Sequence, residues 1–340
     1  MIPRRTLLQA ALAAPLAAQS PAIRIAFLGA SHSHAPAKVQ TIRDSPAFQL
    51  AGIWDPDRTV REKYAAAGIP MLGREQILND AAITVVAVES DVPDHAADAL
   101  AALEAGKHIH LEKPPATDLK GLRGLLDAAA RRGLLVQHGY MWRYHPGIAA
   151  ALEAARSGWL GDVFEVRATI HTLVPAAERR ALARFPGGQM FELACHLIDP
   201  LIRLMGEPAR VTPFLQRRSA GRDSLADNTA ALFEFARALG IVMSSSEQPH
   251  AGRQRAFEIF GTNGSAVLRP IEPPVLEIDL KDAAGPYPAG PRSVPLPPYK
   301  RYAADFQHLA ESVRARTPFP IPAGEELRVQ KALLSASGMI

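Results

Sequence analysis

Two stretches of this chain carry side chains that could move a proton and stabilise charge. Lys113 stands between Glu112 and Pro114, at the end of the apolar run His108-Ile109-His110-Leu111. Proline has a fixed φ and no N–H, so it stops a strand and leaves the lysine at the strand's carboxyl end. In an open α/β sheet that end faces the crevice where ligands bind. The second stretch holds Glu192, His196 and Asp199 at i, i+4 and i+7, a spacing that puts all three on one face of a predicted helix. Leu193, Leu197 and Ile198 make the adjoining surface apolar. Acid–base work on a hydroxyl needs such groups. Read alone, Lys113 also suits a solvated loop, and the helix suits an ordinary amphipathic surface helix.

The elements that must position these residues can be read from apolar runs. Residues 23–29, 48–54 and 83–88 read as buried strands, with a helix predicted over 93–104. Strand and helix patterns alternate from residue 23 to about 140, which predicts a parallel, doubly wound sheet. The second strand ends on Asp55, where an acid usually meets a dinucleotide's ribose hydroxyl. The phosphate loop departs from Gly-x-Gly-x-x-Gly: its six positions read Gly29-Ala30-Ser31-His32-Ser33-His34. Only the first glycine, which allows the tight turn, survives. Ser31 could offer a hydroxyl to a phosphate, and the helix N-terminus still offers free N–H groups. Beyond residue 145 the alternation stops. Antiparallel strands are predicted over 163–172, 209–216, 229–235, 240–246 and 257–260, with Asn263-Gly264 as a hairpin signal. The Pro- and Gly-rich stretch 273–298 reads as an extended surface excursion.

Taken together, the motifs resemble those of the Gfo/Idh/MocA oxidoreductases, the family of glucose–fructose oxidoreductase and inositol dehydrogenase. They are Ala105-Gly106-Lys107-His108, Glu112-Lys113-Pro114, the crossing from Val136 to Pro146, the Gly-rich entry Pro186-Gly187-Gly188 leading to Glu192, His196 and Asp199, and Phe257 to Ser265. The resemblance implies an α/β fold: a Rossmann-type doubly wound parallel sheet over 23–145, then a C-terminal α+β domain over 146–340. That second domain carries a large, mainly antiparallel open sheet, and its last helix packs back on the first domain.

It implies an NAD(H)-dependent enzyme that moves a hydride between the nicotinamide and a secondary alcohol of a sugar, sugar acid or cyclitol. Lys113 and His196 would share the proton and oxygen work. Glu192, where the family usually has aspartate, would orient His196 or bind a neighbouring hydroxyl. The implied cofactor contacts are Gly29, Ser31, His32, Asp55, Ser90, His95, Glu112 and Lys113. The implied substrate contacts are Tyr140, Arg143, His171 and Asp199. Asp55 favours NAD over NADP. Two alternatives stay open: an NAD-dependent glycosidase using transient oxidation and elimination, and a non-catalytic binding protein with a degenerate nucleotide loop. A homo-oligomer formed through the second-domain sheet is expected.

The pairs His32/His34 and His108/His110 have metal-ligand chemistry. A metal also needs a third ligand and fixed geometry, and nothing in the sequence brings the pairs together, so no metal is expected. The formal charge of +4 includes Arg4 and Arg5, so the remainder is close to neutral and suggests no nucleic-acid partner. Arg131-Arg132, Arg179-Arg180 and Arg217-Arg218 read as solvated faces. The single cysteine, Cys195, excludes an intrachain disulfide and reads as a small core residue. Residues 1–22 read as a leader. Arg4-Arg5 precedes Leu7-Leu8 and an alanine-rich stretch too short to span a bilayer, which looks like a twin-arginine export signal. The mature chain is then expected in the periplasm or outside the cell without a membrane span, anchored only if the leader stays uncleaved. Changing Arg4 and Arg5 together to lysine should leave precursor in the cytoplasm on cell fractionation; normal export of that variant overturns the reading.

Overall fold

The computed structural model describes residues 21–219 and 223–340. The expected leader lies largely outside the described residues. The first half alternates strand and helix. Its strands are β1 (Ile23–Leu28), β2 (Phe48–Trp54), β3 (Val85–Val88), β4 (His108–Leu111) and β5 (Val136–His138). Its helices are α1 (Ala35–Asp44), α2 (Arg58–Ala66), α3 (Arg74–Asn79), α4 (His95–Glu104) and α5 (Leu119–Arg132). All strand pairs are parallel, in the order β2-β1-β3-β4-β5. Sheets covered on both faces need unbroken apolar strands, and Val85-Val86-Ala87-Val88 is fully buried. The order reverses between β1 and β3, so the ligand crevice of such a sheet lies outside their carboxyl ends. Gly29 follows β1 with φ +75°, and a Cβ there would meet the Ser90 backbone at 2.2 Å. This close approach of two loops explains why the one fingerprint glycine that remains is the first.

The second half contains α6 (Pro146–Arg156), α7 (Ala176–Leu182), α8 (Gln189–Glu192), α9 (Cys195–Met205), α10 (Ala303–Ala315) and α11 (Ala323–Ala336). Its strands are β6 (Val163–Thr169), β7 (Arg210–Gln216), β8 (Asn228–Glu234), β9 (Leu239–Ser245), β10 (Ala256–Gly261), β11 (Gly264–Leu268), β12 (Leu276–Leu280) and β13 (Gly290–Val294). They form one eight-stranded sheet, β13-β12-β11-β10-β6-β9-β8-β7. Alternate residues of β8, β9 and β12 are buried, as a sheet covered on one face requires. Phe214, Leu239 and Met243 remain exposed. Helices α10 and α11 return to the first half: α10 contacts α1, and α11 contacts α5.

The sheet is mainly antiparallel, as expected, with β6 and β9 its one parallel pair among the described residues. Two other expectations need correction. The stretch 273–298 supplies two strands, because Leu276, Ile278 and Leu280 alternate with Glu277 and Asp279 and add an apolar row to the sheet. Arg179 is not solvated: it is 2% exposed and donates to Asp223, Asp227 and Glu247.

A buried charge cluster ties the parallel sheet to its first helix. Lys38 of α1 donates from Nζ to Glu89 Oε1 at 2.6 Å, just past β3, and to Glu112 Oε2, just past β4. All three side chains are fully buried. Burial opposes the lysine's charge, but the two carboxylates outweigh it and raise its pKa. Burial and the Glu112 charge push Glu89 up to about 7, whereas Lys38 and the loop histidines hold Glu112 well below the usual range. Removing one partner from such a group leaves an uncompensated buried charge, at a cost of about 3–5 kcal/mol. Lys38→Met should therefore lower unfolding free energy by about that amount in urea melts; a loss within about 0.5 kcal/mol, the range of ordinary surface changes, contradicts it.

Candidate active site

The ladder hydrogen bonds of the parallel sheet run on past the strand ends and fix the first residues of each loop. Glu89 N–H donates to Leu28 O, Glu112 N–H to Val88 O, and Gly139 N–H to Leu111 O. These bonds bring Glu89, Glu112 and Lys113 to one edge. Lys113 is 2% exposed and reaches the second domain, donating to Glu192 Oε1 at 2.7 Å and to Glu192 O at 3.0 Å. Burial works against its charge, but Glu192 outweighs it and raises the lysine above its ordinary value. Burial likewise opposes the Glu192 charge, yet Lys113 and a bond from His32 hold that carboxyl at about 2. Lys113 and Glu192 are therefore an ion pair across the crevice at neutral pH.

His32 and His34 line the same crevice. The His34 N–H donates to His32 Nδ1 at 3.2 Å, so the His32 proton sits on Nε2, which donates to Glu192 Oε1 at 3.2 Å. His34 Nδ1 donates to Glu112 Oε1 at 3.1 Å. Burial lowers the His34 pKa to about 4, so the ring is neutral at pH 7. His196 lies 5.6 Å from the His34 ring and 5.3 Å from Trp142, centre to centre. It is 2% exposed, and both its ring nitrogens are buried without a partner. Burial, then the Lys113 charge, holds it well below 6.5, so this imidazole is neutral as well.

The expected helix carrying Glu192, His196 and Asp199 is broken. Glu192 ends the one-turn α8, while His196 and Asp199 belong to α9. Glu192 and His196 still face the crevice. Asp199 faces away: it accepts from Arg143 Nε at 3.0 Å and Nη2 at 2.6 Å. Arg143 is in turn held by Glu326 of α11 through two bonds of 2.6 and 2.7 Å. Neither residue is free for substrate, because this buried ion network consumes both. Tyr140 is buried with its hydroxyl unpartnered, under the Arg143 guanidinium. His171 follows β6; its carbonyl accepts from Arg255 and its buried Nδ1 has no partner.

The expected cofactor residues divide into two groups. Asp55 is buried, and its oxygens accept from the backbone N–H groups of Ala30 at 2.7 Å and Asp57 at 2.8 Å. Its carboxylate thus pins the phosphate loop to the end of β2. His95 faces two carbonyls, Pro114 O at 2.7 Å and Ser90 O at 3.0 Å, and staples the loops after β3 and β4 together. Both act on the shape of the crevice. Ser31 is exposed above it. Ser90 Oγ, Glu192 Oε2 and both His196 nitrogens are buried and unpartnered around it. Such orphaned atoms fit a polar ligand at the switch point, so the residues present suit a dinucleotide and a hydroxylated substrate. The second histidine pair is separate: His108 Nδ1 accepts from Leu135 N–H, and His110 Nδ1 meets Gln137. Cys195 is buried, with its thiol pushed up by burial and donating to Glu192 O, as a packed residue rather than a nucleophile.

Comparison with known proteins agrees with both halves. The sequence model of the oxidoreductase family, NAD-binding Rossmann fold, matches residues 23–140, and that of the GFO/IDH/MocA C-terminal domain matches 148–267. An uncharacterized oxidoreductase of Rhizobium meliloti is 28% identical over 76% of this chain and 78% of its own length. Levoglucosan dehydrogenase of Pseudarthrobacter phenanthrenivorans is 28% identical over 56% of this chain and 57% of its own. A 3-ketoreductase from Actinomadura kijaniata, solved with TDP-benzene and NADP, superposes with a TM-score of 0.76 at 19% identity, covering 92% of this chain and 96% of that one. Two adjoining domain matches in family order, on a parallel sheet followed by a large open one, have one explanation: the chain belongs to the Gfo/Idh/MocA family of oxidoreductases, with that family's NAD(P)-binding domain at its N-terminal end.

Proposed function

We propose that this enzyme transfers a hydride between NAD(H) and a secondary alcohol of a sugar, sugar acid or cyclitol. The observation that carries the reading is the neutral, unpartnered His196 in the crevice where the Lys113–Glu192 ion pair closes. The carbohydrate class is supported by the name of the levoglucosan dehydrogenase relative. The dinucleotide, when bound, supplies the hydride acceptor or donor. The loop from Gly29 to His32, with Ser90 and Lys113, would hold it.

The chain's own residues divide the remaining work. Lys113 is held as an ammonium by Glu192, so it is no base. It stabilises negative charge developing on the reacting oxygen. His196 has the opposite character: its neutral ring has a free lone pair, so it takes the hydroxyl proton. Glu192 fixes Lys113 through Oε1, and its unpartnered Oε2 is available to a neighbouring substrate hydroxyl. The Tyr140 hydroxyl is a second such partner. The reading also includes a second copy of the chain against the open sheet face that bears Phe214, Leu239 and Met243.

His196→Ala and Lys113→Ala should each lower turnover by about 10²–10⁴-fold. The His196 variant should keep its dinucleotide affinity, because that side chain comes from the second domain. Since His196 titrates well below 6.5 and Lys113 above 10.5, kcat/KM of the parent should stay flat across neutral pH. A limb near pH 6.5 overturns the assignment of His196 as base, as does a His196→Ala variant that melts normally and turns over within a few-fold of the parent.

NAD should bind more tightly than NADP. The Asp55 carboxylate stands at the end of β2, where it accepts from two loop amides. Two like charges about 4 Å apart repel by ~1 kcal/mol in water and ~4 kcal/mol at an effective dielectric of 20. This repulsion corresponds to a preference of about tenfold to a thousandfold. Calorimetric titration giving equal or tighter NADP binding removes this part of the proposal, with Arg58 and Arg61 as the nearby cations to examine next.

A further inference from the structure

The crevice contains a second kind of chemistry that hydride transfer does not use. His32, His34 and Glu112 converge so that one ligand atom from each lies within 4.8 Å of the others. Glu112 Oε1 is the common point: His34 Nδ1 is 3.1 Å from it and His32 Nδ1 is 3.9 Å from it. In a tetrahedral zinc site with bonds of ~2.0–2.2 Å, neighbouring ligand atoms stand about 3.4 Å apart. The two measured separations lie on either side of that value. We propose that His32 Nδ1, His34 Nδ1 and Glu112 Oε1 form a binding site for one divalent transition-metal ion of the zinc type, with a coordination position left open to the crevice.

Three further features support the site. Its outer contacts are those that metal-bound groups usually have. The far nitrogen of His32, Nε2, donates to Glu192, which fixes the tautomer that presents Nδ1 inward. The far oxygen of Glu112, Oε2, is held by Lys38, which leaves Oε1 for the ion. The second feature is charge. The carboxyl groups of Glu89, Glu112 and Glu192 converge with the amines of Lys38 and Lys113 in this cluster, an acid-rich setting for a cation. The third is His196, nine-tenths buried or more, with two unpartnered nitrogens and its ring beside that of His34. Two neutral imidazoles and one carboxylate select zinc-like ions over magnesium or calcium. Binding replaces the backbone His34 N–H bond to His32 Nδ1 and the hydrogen bond from His34 Nδ1 to Glu112; the His34 ring proton moves from Nδ1 to Nε2, so the ring stays neutral and no proton is lost overall.

The metal site shares His32 and Glu192 with the hydride-transfer reading, and the test keeps the two apart by reading metal binding alone. Untagged full-length protein is stripped with a chelator, then titrated with Zn²⁺ or Co²⁺ alone. Metal content is read by mass spectrometry and the Co²⁺ form by its visible absorption. We expect one ion per chain and a Co²⁺ spectrum of low coordination number. His34→Gln should abolish both while the far-ultraviolet circular dichroism stays that of the parent. Glu192→Gln, acting through His32, should weaken Co²⁺ binding by about 10–100-fold as a positioning residue. Glu112→Gln also disturbs Lys38, so the paired change of His32 and His34 to glutamine serves as the decisive variant. The proposal fails if stripped parent protein takes up no stoichiometric ion. It fails equally if the double variant binds Co²⁺ as tightly as the parent, which marks an adventitious ion only. NAD titrations of the stripped and loaded forms report separately on the cofactor.

Discussion

The buried contact of Lys38 with Glu89 and Glu112 is the constraint on which the rest of the site depends. It joins α1 to the carboxyl ends of β3 and β4, where the chain leaves the sheet. Burying three charges is costly, and such groups often do no more than break even against apolar packing. Stability comes instead from the apolar strands, at about 25 cal/mol per Å² of surface removed from water. What the charges contribute is direction. With Oε2 held by Lys38, Glu112 can present only Oε1 to the loop histidines. With Glu112 fixed, Lys113 comes next in the chain and is aimed across the crevice.

Contacts between the two halves then set how that crevice closes. On one side the network of Arg143 with Asp199 and Glu326 is buried and joins the 3₁₀ turn Met141–Tyr144, α9 and α11. In the middle Glu192 meets Lys113 and His32. At the rim, Arg184 pairs with Asp91, and both side chains are more than two-fifths exposed. An exposed pair of this kind is worth about 0–1 kcal/mol. Breaking the buried network leaves charges stranded, whereas parting the rim returns them to water. The crevice therefore has one fixed edge and one edge that separates at small cost.

Much of the fold could be read from the sequence because it depends on local pattern. Apolar runs ending in Gly29, Asp55 and Lys113 marked the parallel sheet, and β2 has the bounds read from its pattern. The strands β12 and β13 were obscured by prolines, although the alternation from Leu276 to Leu280 was present as a signal. Lys38 was missed, since a lone lysine in an amphipathic helix reads as solvated until the strand ends that meet it are placed. Arg143 and Asp199 went astray for the same reason. Their residue types suit substrate binding, and only the return of α11, nearly two hundred residues later, supplies the Glu326 that consumes them. Glu192, His196 and Lys113 were singled out from motif order, but their charge states could not be read there. Charge state depends on burial and on partners distant in the chain.

Those charge states arise from one physical cause acting on two different groups. Burial disfavours charge on any side chain. His196 receives no carboxylate partner, so burial decides and the ring stays neutral. Lys113 is buried as deeply but receives Glu192 at 2.7 Å, so the partner decides and the ammonium persists. The side chain at 192 is therefore what separates a neutral ring from a cation in the same crevice. A glutamate reaches one methylene further than the aspartate the family usually carries there. That reach lets a single carboxylate hold Lys113 and His32 together, coupling the second domain to the altered phosphate loop as well as to the lysine.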